Sequence, residues 1–190
     1  MERILIEGKI FDQIDFTKDP LTPGDYENCR FINCNFSNTN LSGFHFTECE
    51  FAGCNMTMAK LGKTAFRDIK FKDCKLLGLH FEHCKELLFA VHFDHCILNL
   101  SCFYNRKMKN TGFIHSTLHE VDFTEADLSG SIFDNTDLEG AVFDNTILEK
   151  ADFRTAFHYS INPALNRITK AKFSSTGIAG LLDQYDIEIE

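Results

Sequence analysis

Eight cysteines, eight histidines and 28 carboxylates are the side chains of this 190-residue chain best suited to chemistry. An even cysteine count invites a disulfide framework or a zinc site. The spacing points elsewhere. Cys29, Cys34, Cys49, Cys54, Cys74 and Cys84 are separated by multiples of five, and Cys96 rejoins the series after a shift of two. Small apolar thiols at a fixed interval describe a repeated buried slot. Cys102 alone falls outside it. Cys34 and Cys54 would lie within disulfide reach if stacked, but a cytosolic chain keeps thiols free. The histidines are 45, 80, 83, 92, 95, 115, 119 and 158, mostly at outward positions. His95 and His115 could meet on one face, without a third ligand indicated. No nucleophile–base constellation, Gly-rich phosphate loop or metal-spaced cluster is found. The expectation is no enzyme, no cofactor and no metal.

The carboxylates concentrate. Between Glu120 and Asp152 lie ten acids opposed only by Lys150, a local net charge of −9, equal to that of the whole chain. Either this is ordinary repeat composition, or it forms a rod with the regular negative charge of a nucleic-acid duplex.

Whatever positions these residues must repeat every five. Stepping by five from Ile6 meets a large apolar residue at each stop to Phe81. After a two-residue slip at Lys85, Glu86 and Leu87, the series resumes at Leu88 and runs to Phe153. Seventeen of the 20 phenylalanines lie on this grid, counting Phe173. With the large residue called i, position i−2 is small and the other three are mostly polar. Neither a helix (period 3.6) nor a strand (period 2) repeats in fives. A square coil with one pentapeptide per side does. It stacks Phe11, Phe31, Phe51 and Phe71 in one half, and Phe93, Phe113, Phe133, Phe153 and Phe173 in the other. Gly130, Asn135, Gly140 and Asn145 at i+2 suit the corners. The expected fold is all-β, a right-handed quadrilateral β-helix of about 8 coils, on the order of 40 Å long at the strand spacing.

Departures from the grid mark local features. The slip must bulge one corner. Arg106 falls at i−2, where a buried unpaired charge is costly, so 105–110 is expected to loop outward, as a bulge or as a basic contact loop. His158 and Pro163 occupy i positions in an irregular coil. The chain divides into a β-helix over 1–173 and a C-terminal capping or dimerisation module over 174–190. In that module 175–185 reads as a short helix capped by Ser175 or Thr176, and 186–190 as a strand. Leu181, Leu182, Ile187 and Ile189 exceed what one cap needs and suit a two-fold interface.

Composition excludes more than it selects. A net charge of −9 disfavours direct nucleic-acid binding. No apolar run reaches the roughly 20 residues of a membrane span, and the first seven residues do not read as a secretory signal. The expected location is the cytoplasm.

Ala126-Asp127-Leu128-Ser129-Gly130 matches the A(D/N)LXX signature, and over about 9–173 the chain resembles the pentapeptide-repeat family. Residues 161–168, Ile-Asn-Pro-Ala-Leu-Asn-Arg-Ile, and the tail after them resemble the microcin B17 immunity protein and, more distantly, the plasmid quinolone-resistance (Qnr) proteins. That resemblance implies a homodimer joined through the C-terminal module, with Leu181, Leu182, Ile187 and Ile189 at the interface. It also implies an acidic, DNA-like rod that binds DNA gyrase or topoisomerase IV. The Qnr proteins carry projecting loops, for which 105–110 is the nearest counterpart here. The expected partner-binding residues are Arg106, Lys107, Lys109, Asp122, Asp127, Asp134, Asp137, Glu139 and Asp144. The alternative is an interaction scaffold for another partner.

Overall fold

The computed structural model describes residues 4–188. The strands are β1 (Ile4–Glu7), β2 (Ile10–Asp12), β3 (Gly24–Glu27), β4 (Arg30–Ile32), β5 (His45–Thr47), β6 (Glu50–Ala52), β7 (Ala65–Arg67), β8 (Ile69–Lys72), β9 (Val91–Asp94), β10 (Gly112–Ile114) and β11 (Ile132–Asp134). All pair in parallel, in a sheet β1-β3-β5-β7 and a sheet β11-β10-β9-β8-β6-β4-β2. Single parallel bridges form the other two sides, one from Asp15 through Asn35, Asn55, Lys75, Ile97, Thr117 and Asp137 to Phe157, one through His80, Cys102, Asp122 and Val142. Four ladders run side by side, so the coil has four sides.

Partners are 20 residues apart throughout, as in Phe31↔Phe51 and Phe113↔Phe133, except in one coil, where Ile69↔Val91 and His80↔Cys102 are 22 apart. The corners explain the repeat length. Position i+2 is left-handed at nearly every turn, for example φ 51° at Asn33, 53° at Asn145 and 70° at Gly130. Asn and Gly tolerate that region best. A Cβ on Gly130 would also collide with the Asn110 side chain on the coil before it.

The inward positions form a continuous aromatic spine. Rings stack from Phe11 through Phe31, Phe51, Phe71, Phe93, Phe113, Phe133 and Phe153 to Phe173, with centroids 4.5–5.4 Å apart. The two half-columns expected from sequence thus join across the inserted coil. A second column, Phe81, Phe103, Phe123 and Phe143, meets the first edge-on, as at 5.7 Å between Phe113 and Phe123. Stacking along the rod and T-shaped contact across it are the two favourable arrangements of aromatic quadrupoles.

The i−2 slot has its own rule. Most of its side chains that carry a donor bond the carbonyl of an inward residue on the preceding coil, while Thr39 and Thr111 turn to Phe36 O and Met108 O of their own coil. Cys54 Sγ bonds Phe31 O at 3.3 Å, Thr64 Oγ1 bonds Leu41 O at 2.8 Å and Thr136 Oγ1 bonds Phe113 O at 2.7 Å. Thiols, hydroxyls and the methyls of Ala126 and Ala151 share the slot because it demands smallness, and a donor only adds a hydrogen bond. All eight cysteines are free, and the seven at i−2 are buried. Burial pushes the Cys49 and Cys84 thiols up to about 12. Eight thiols are therefore expected to titrate immediately on denaturation in guanidinium, while the seven buried ones stay unreactive in the native protein on the labelling timescale. A count below eight would overturn the all-thiol reading.

Several expectations need correction. Leu88 does not resume the inward series; it is 68% exposed at φ 59°, and Phe89, 7% exposed, turns in instead. The extra residues push the backbone out, so the corner rather than the core absorbs them. Residues 105–110 do not loop outward, since Met108 is buried and Lys107 bridges Asp127 in register. His158 is exposed, and Tyr159 takes the inward place beside Phe153 and Phe173, each centroid 5.7 Å away. The tail forms two short 3₁₀ turns, Ile178–Leu181 and Asp183–Tyr185, rather than one helix over 175–185. The hydroxyl accepting from the Gly177 N–H is that of Ser174, not Ser175 or Thr176. Ile161 N–H donates to Gly180 O at 2.8 Å, and a Cβ on Gly180 would strike the Tyr159 carbonyl, so the tail is pinned to the last coil. Residues 186–188 form no strand. Ile189 and Glu190, which completed that expected strand, and Met1 to Arg3 lie outside the described residues.

Candidate interaction surface

The repeat places every acid of 120–152 outside the core, but not in one role. At i−1, the carboxylate turns back and accepts from the backbone N–H two residues on. Asp122 accepts from Thr124, Asp127 from Ser129, Asp137 from Glu139 and Asp152 from Arg154, at 2.8–3.3 Å. Asn35, Asn40 and Asn55 make the same turn with an amide oxygen. Asp and Asn alternate at i−1 because either supplies that acceptor.

These corner acids are also partly neutralised. Asp127 pairs with Lys109 at 3.2 Å, and Asp152 with Arg154 at 2.7 Å. Asp137 lies between His119 and His158, each 2.9 Å away. Burial pushes the Asp137 carboxyl up, but hydrogen bonds from both imidazoles outweigh it and hold the group below the usual carboxylate range. Asp134 accepts from Thr155 at 2.7 Å and from the Asn135 side chain at 3.1 Å.

Glu120, Glu125, Glu139 and Asp144 remain as fully outward acids. They occupy two successive coils on adjoining sides, since Thr117↔Asp137 and Asp122↔Val142 set those coils in register. Glu139 and Asp144 were among the expected partner residues. Glu120 and Glu125 were not, and their i+2 positions, φ 56° and 60°, are what point them away from the rod.

The basic residues do not make a surface. Arg106 is 5% exposed. Its Nε donates to Phe81 O at 2.8 Å, and its Nη2 to Glu82 O at 2.8 Å and to Cys84 O. It therefore obeys the i−2 rule, with a longer side chain that also covers the carbonyls left without ladder partners by the bulge. Its guanidinium lies 5.1 Å from the Phe89 ring centroid. Lys107 pairs with Glu86 at 2.7 Å. The projecting feature is the bulge itself, with Leu87 and Leu88 exposed side by side.

At the C-terminal end, Leu181 packs partly against the core and Leu182 is half-buried. Ile187 is exposed, as are Ile178 and Tyr185, which the sequence reading passed over. Of the expected interface residues, Ile189 lies outside the described residues. No helix among the described residues is long and apolar enough to cross a membrane.

Comparison with known proteins agrees with this geometry. A family model described as "Pentapeptide repeat region" matches residues 25–86 and 78–153. No curated protein sequence matches the chain. Two structures of trypsin-treated variants of QnrB1, a plasmid-mediated fluoroquinolone resistance protein, superpose with TM-scores of 0.63 and 0.62 at 15% identity. The first match covers 100% of both chains, and the second 99% of this chain and 98% of the other. At that identity the likeness is one of fold. The five-residue grid, the four parallel ladders and a family match across more than half of its length establish that this chain belongs to the pentapeptide-repeat family.

Proposed function

We propose that this protein is a non-enzymatic, dimeric rod that binds a type II topoisomerase, DNA gyrase or topoisomerase IV, in place of DNA and shields it from a toxin or a quinolone. The observation that carries the reading is the patch of outward carboxylates at Glu120, Glu125, Glu139 and Asp144 on two successive coils. Negative charge repeated at the coil spacing offers a DNA-binding groove what a phosphate backbone offers it. The full-length fold likeness to QnrB1, named as a fluoroquinolone resistance protein, supports the same class of action. Exposed Ile178, Tyr185 and Ile187 beside Leu182 support association through the C-terminal end, because contiguous exposed apolar surface marks an interface.

The test is a gyrase supercoiling assay with the purified chain, with and without a fluoroquinolone. The expected result is dose-dependent inhibition of supercoiling alone and recovery of supercoiling under the drug. Glu120→Lys, Glu125→Lys, Glu139→Lys and Asp144→Lys combined should abolish both effects and leave the thermal melt unchanged. Neither inhibition, protection nor binding in the wild type would overturn the proposal, and recovery of a different basic partner would favour a scaffold role.

A further inference from the structure

One cysteine stands outside the i−2 series, and the inserted coil decides what surrounds it. Cys102 sits at i−1 on the ladder of single bridges, directly beside His80 and Asp122. Neighbours on a parallel ladder present their side chains to the same face. In the coil before, the chain turns through the 3₁₀ segment Phe81–His83, which swings Glu82 and His83 back toward His80. His80 Nδ1 lies 2.7 Å from Glu82 Oε1, and His83 Nε2 lies 3.7 Å from the same oxygen. The two imidazoles face each other at 5.4 Å between centroids. One ligand atom from each of the three residues lies within 4.8 Å of the other two.

We propose that His80, Glu82, His83 and Cys102 form a binding site for a borderline divalent transition-metal ion of the Zn²⁺ class. Three observations meet there. Ligand separations of 2.7 and 3.7 Å bracket the ~3.3 Å edge of a tetrahedron with zinc–nitrogen bonds near 2.0–2.1 Å. Glu82 Oε2 is buried without a hydrogen-bond partner, an arrangement that costs energy unless something positive reaches it. The Cys102 thiol lies against Glu82 and donates to Asp122 Oδ2 at 3.7 Å. A divalent cation would take Cys102 as a thiolate ligand and release its proton to water. Two imidazoles, a thiolate and a carboxylate select zinc or cobalt over magnesium or calcium, which prefer oxygen donors alone. The spacing hides the site from a motif search, because Cys102 joins the other ligands only through the 22-residue coil.

Two other groups provide comparison. Asp94, His95 and His115 come together on the surface, as do His119, Asp137 and Glu139. Neither includes a thiol, and Asp137 is already held by His119 and His158.

The test uses the full chain, reduced and stripped with a chelator, titrated with Co²⁺ and then Zn²⁺. The expected result is one Co²⁺ per chain, with visible bands of tetrahedral intensity, a near-ultraviolet thiolate-to-cobalt band, and displacement by Zn²⁺. Cys102→Ser should remove the thiolate band. His83→Gln, at a side chain 62% exposed and therefore safe for folding, should weaken cobalt binding about tenfold or more. The double variant His95→Ala, His115→Ala should bind as the parent does. Absence of the thiolate band in the parent, its persistence in Cys102→Ser, or equal loss in the His95 and His115 variant would overturn the proposal.

Discussion

Phe133→Ala is expected to lower the free energy of unfolding by roughly 3–5 kcal/mol in a denaturant melt. Phe133 is fully buried, stacked on Phe113 at 4.9 Å and Phe153 at 4.5 Å, with Phe123 and Phe143 edge-on at 6.2 and 6.4 Å. Truncation removes the transfer free energy of the ring and leaves a cavity. The cavity cannot collapse cheaply. The coils above and below are held apart by ladder hydrogen bonds such as Ile132 N–H to Thr111 O at 3.0 Å and Phe133 N–H to Asp152 O at 2.9 Å. Phe133→Leu should cost less, because leucine already fills the inward slots at Leu118, Leu138 and Leu148. Phe157, off the grid and 43% exposed, is the control; Phe157→Ala should stay within about 0.5 kcal/mol. Similar costs at 133 and 157 would refute the spine as the main source of stability.

Arg106→Ala is expected to be nearly as damaging, at about 3–5 kcal/mol, although arginine is rarely a core residue. The guanidinium holds the carbonyls of Phe81, Glu82 and Cys84 where the 22-residue coil departs from the ladder. Alanine would leave the Glu82 and Cys84 carbonyls without this donor beside an empty slot, each costing about 1–3 kcal/mol if unsatisfied, though not additively, while Phe81 O keeps the Cys84 N–H at 3.0 Å. Arg106→Lys keeps the charge but not the planar fork that reaches several acceptors together, and should fall between. Arg106→Ser restores the ordinary i−2 donor toward Phe81 while leaving Glu82 and Cys84 uncovered, so it should recover only part of the loss. Lys107→Ala removes an ion pair with Glu86 in which both side chains are more than half exposed, and should cost less than about 1 kcal/mol. If Arg106→Ala cost no more than Lys107→Ala, the guanidinium would not be the brace of the inserted coil.

The two variants also mark how far residue order alone carries. Phe133 was legible as an inward ring because a five-residue period has one geometric solution, and the slot demands size and apolarity whatever surrounds it. The i−2 cysteines were legible for the same reason: a thiol, a serine, a threonine and an alanine at one position share only smallness. The corner acids were half legible. Their i−1 position was plain, but not that Asp122, Asp127, Asp137 and Asp152 turn back onto their own backbone, which leaves Glu120, Glu125, Glu139 and Asp144 as the outward charge.

The order of residues by itself determined the period, the inward columns, the small slot, the left-handed corners and the place of the break, because each is a local demand repeated along the chain. Only the tertiary structure decided what happens at the break. Counting by fives made Leu88 inward, and the cost of a buried charge at i−2 made Arg106 outward; the folded coil exposes the first and buries the second. The physical reason is that an insertion is accommodated where backbone is cheapest to displace, at a corner, and the carbonyls it frees must be met by whichever side chain on the next coil can reach them. That choice depends on a neighbour 22 to 25 residues away. The same long-range neighbourhood sets Cys102 beside His80, a juxtaposition that no spacing along the chain announces.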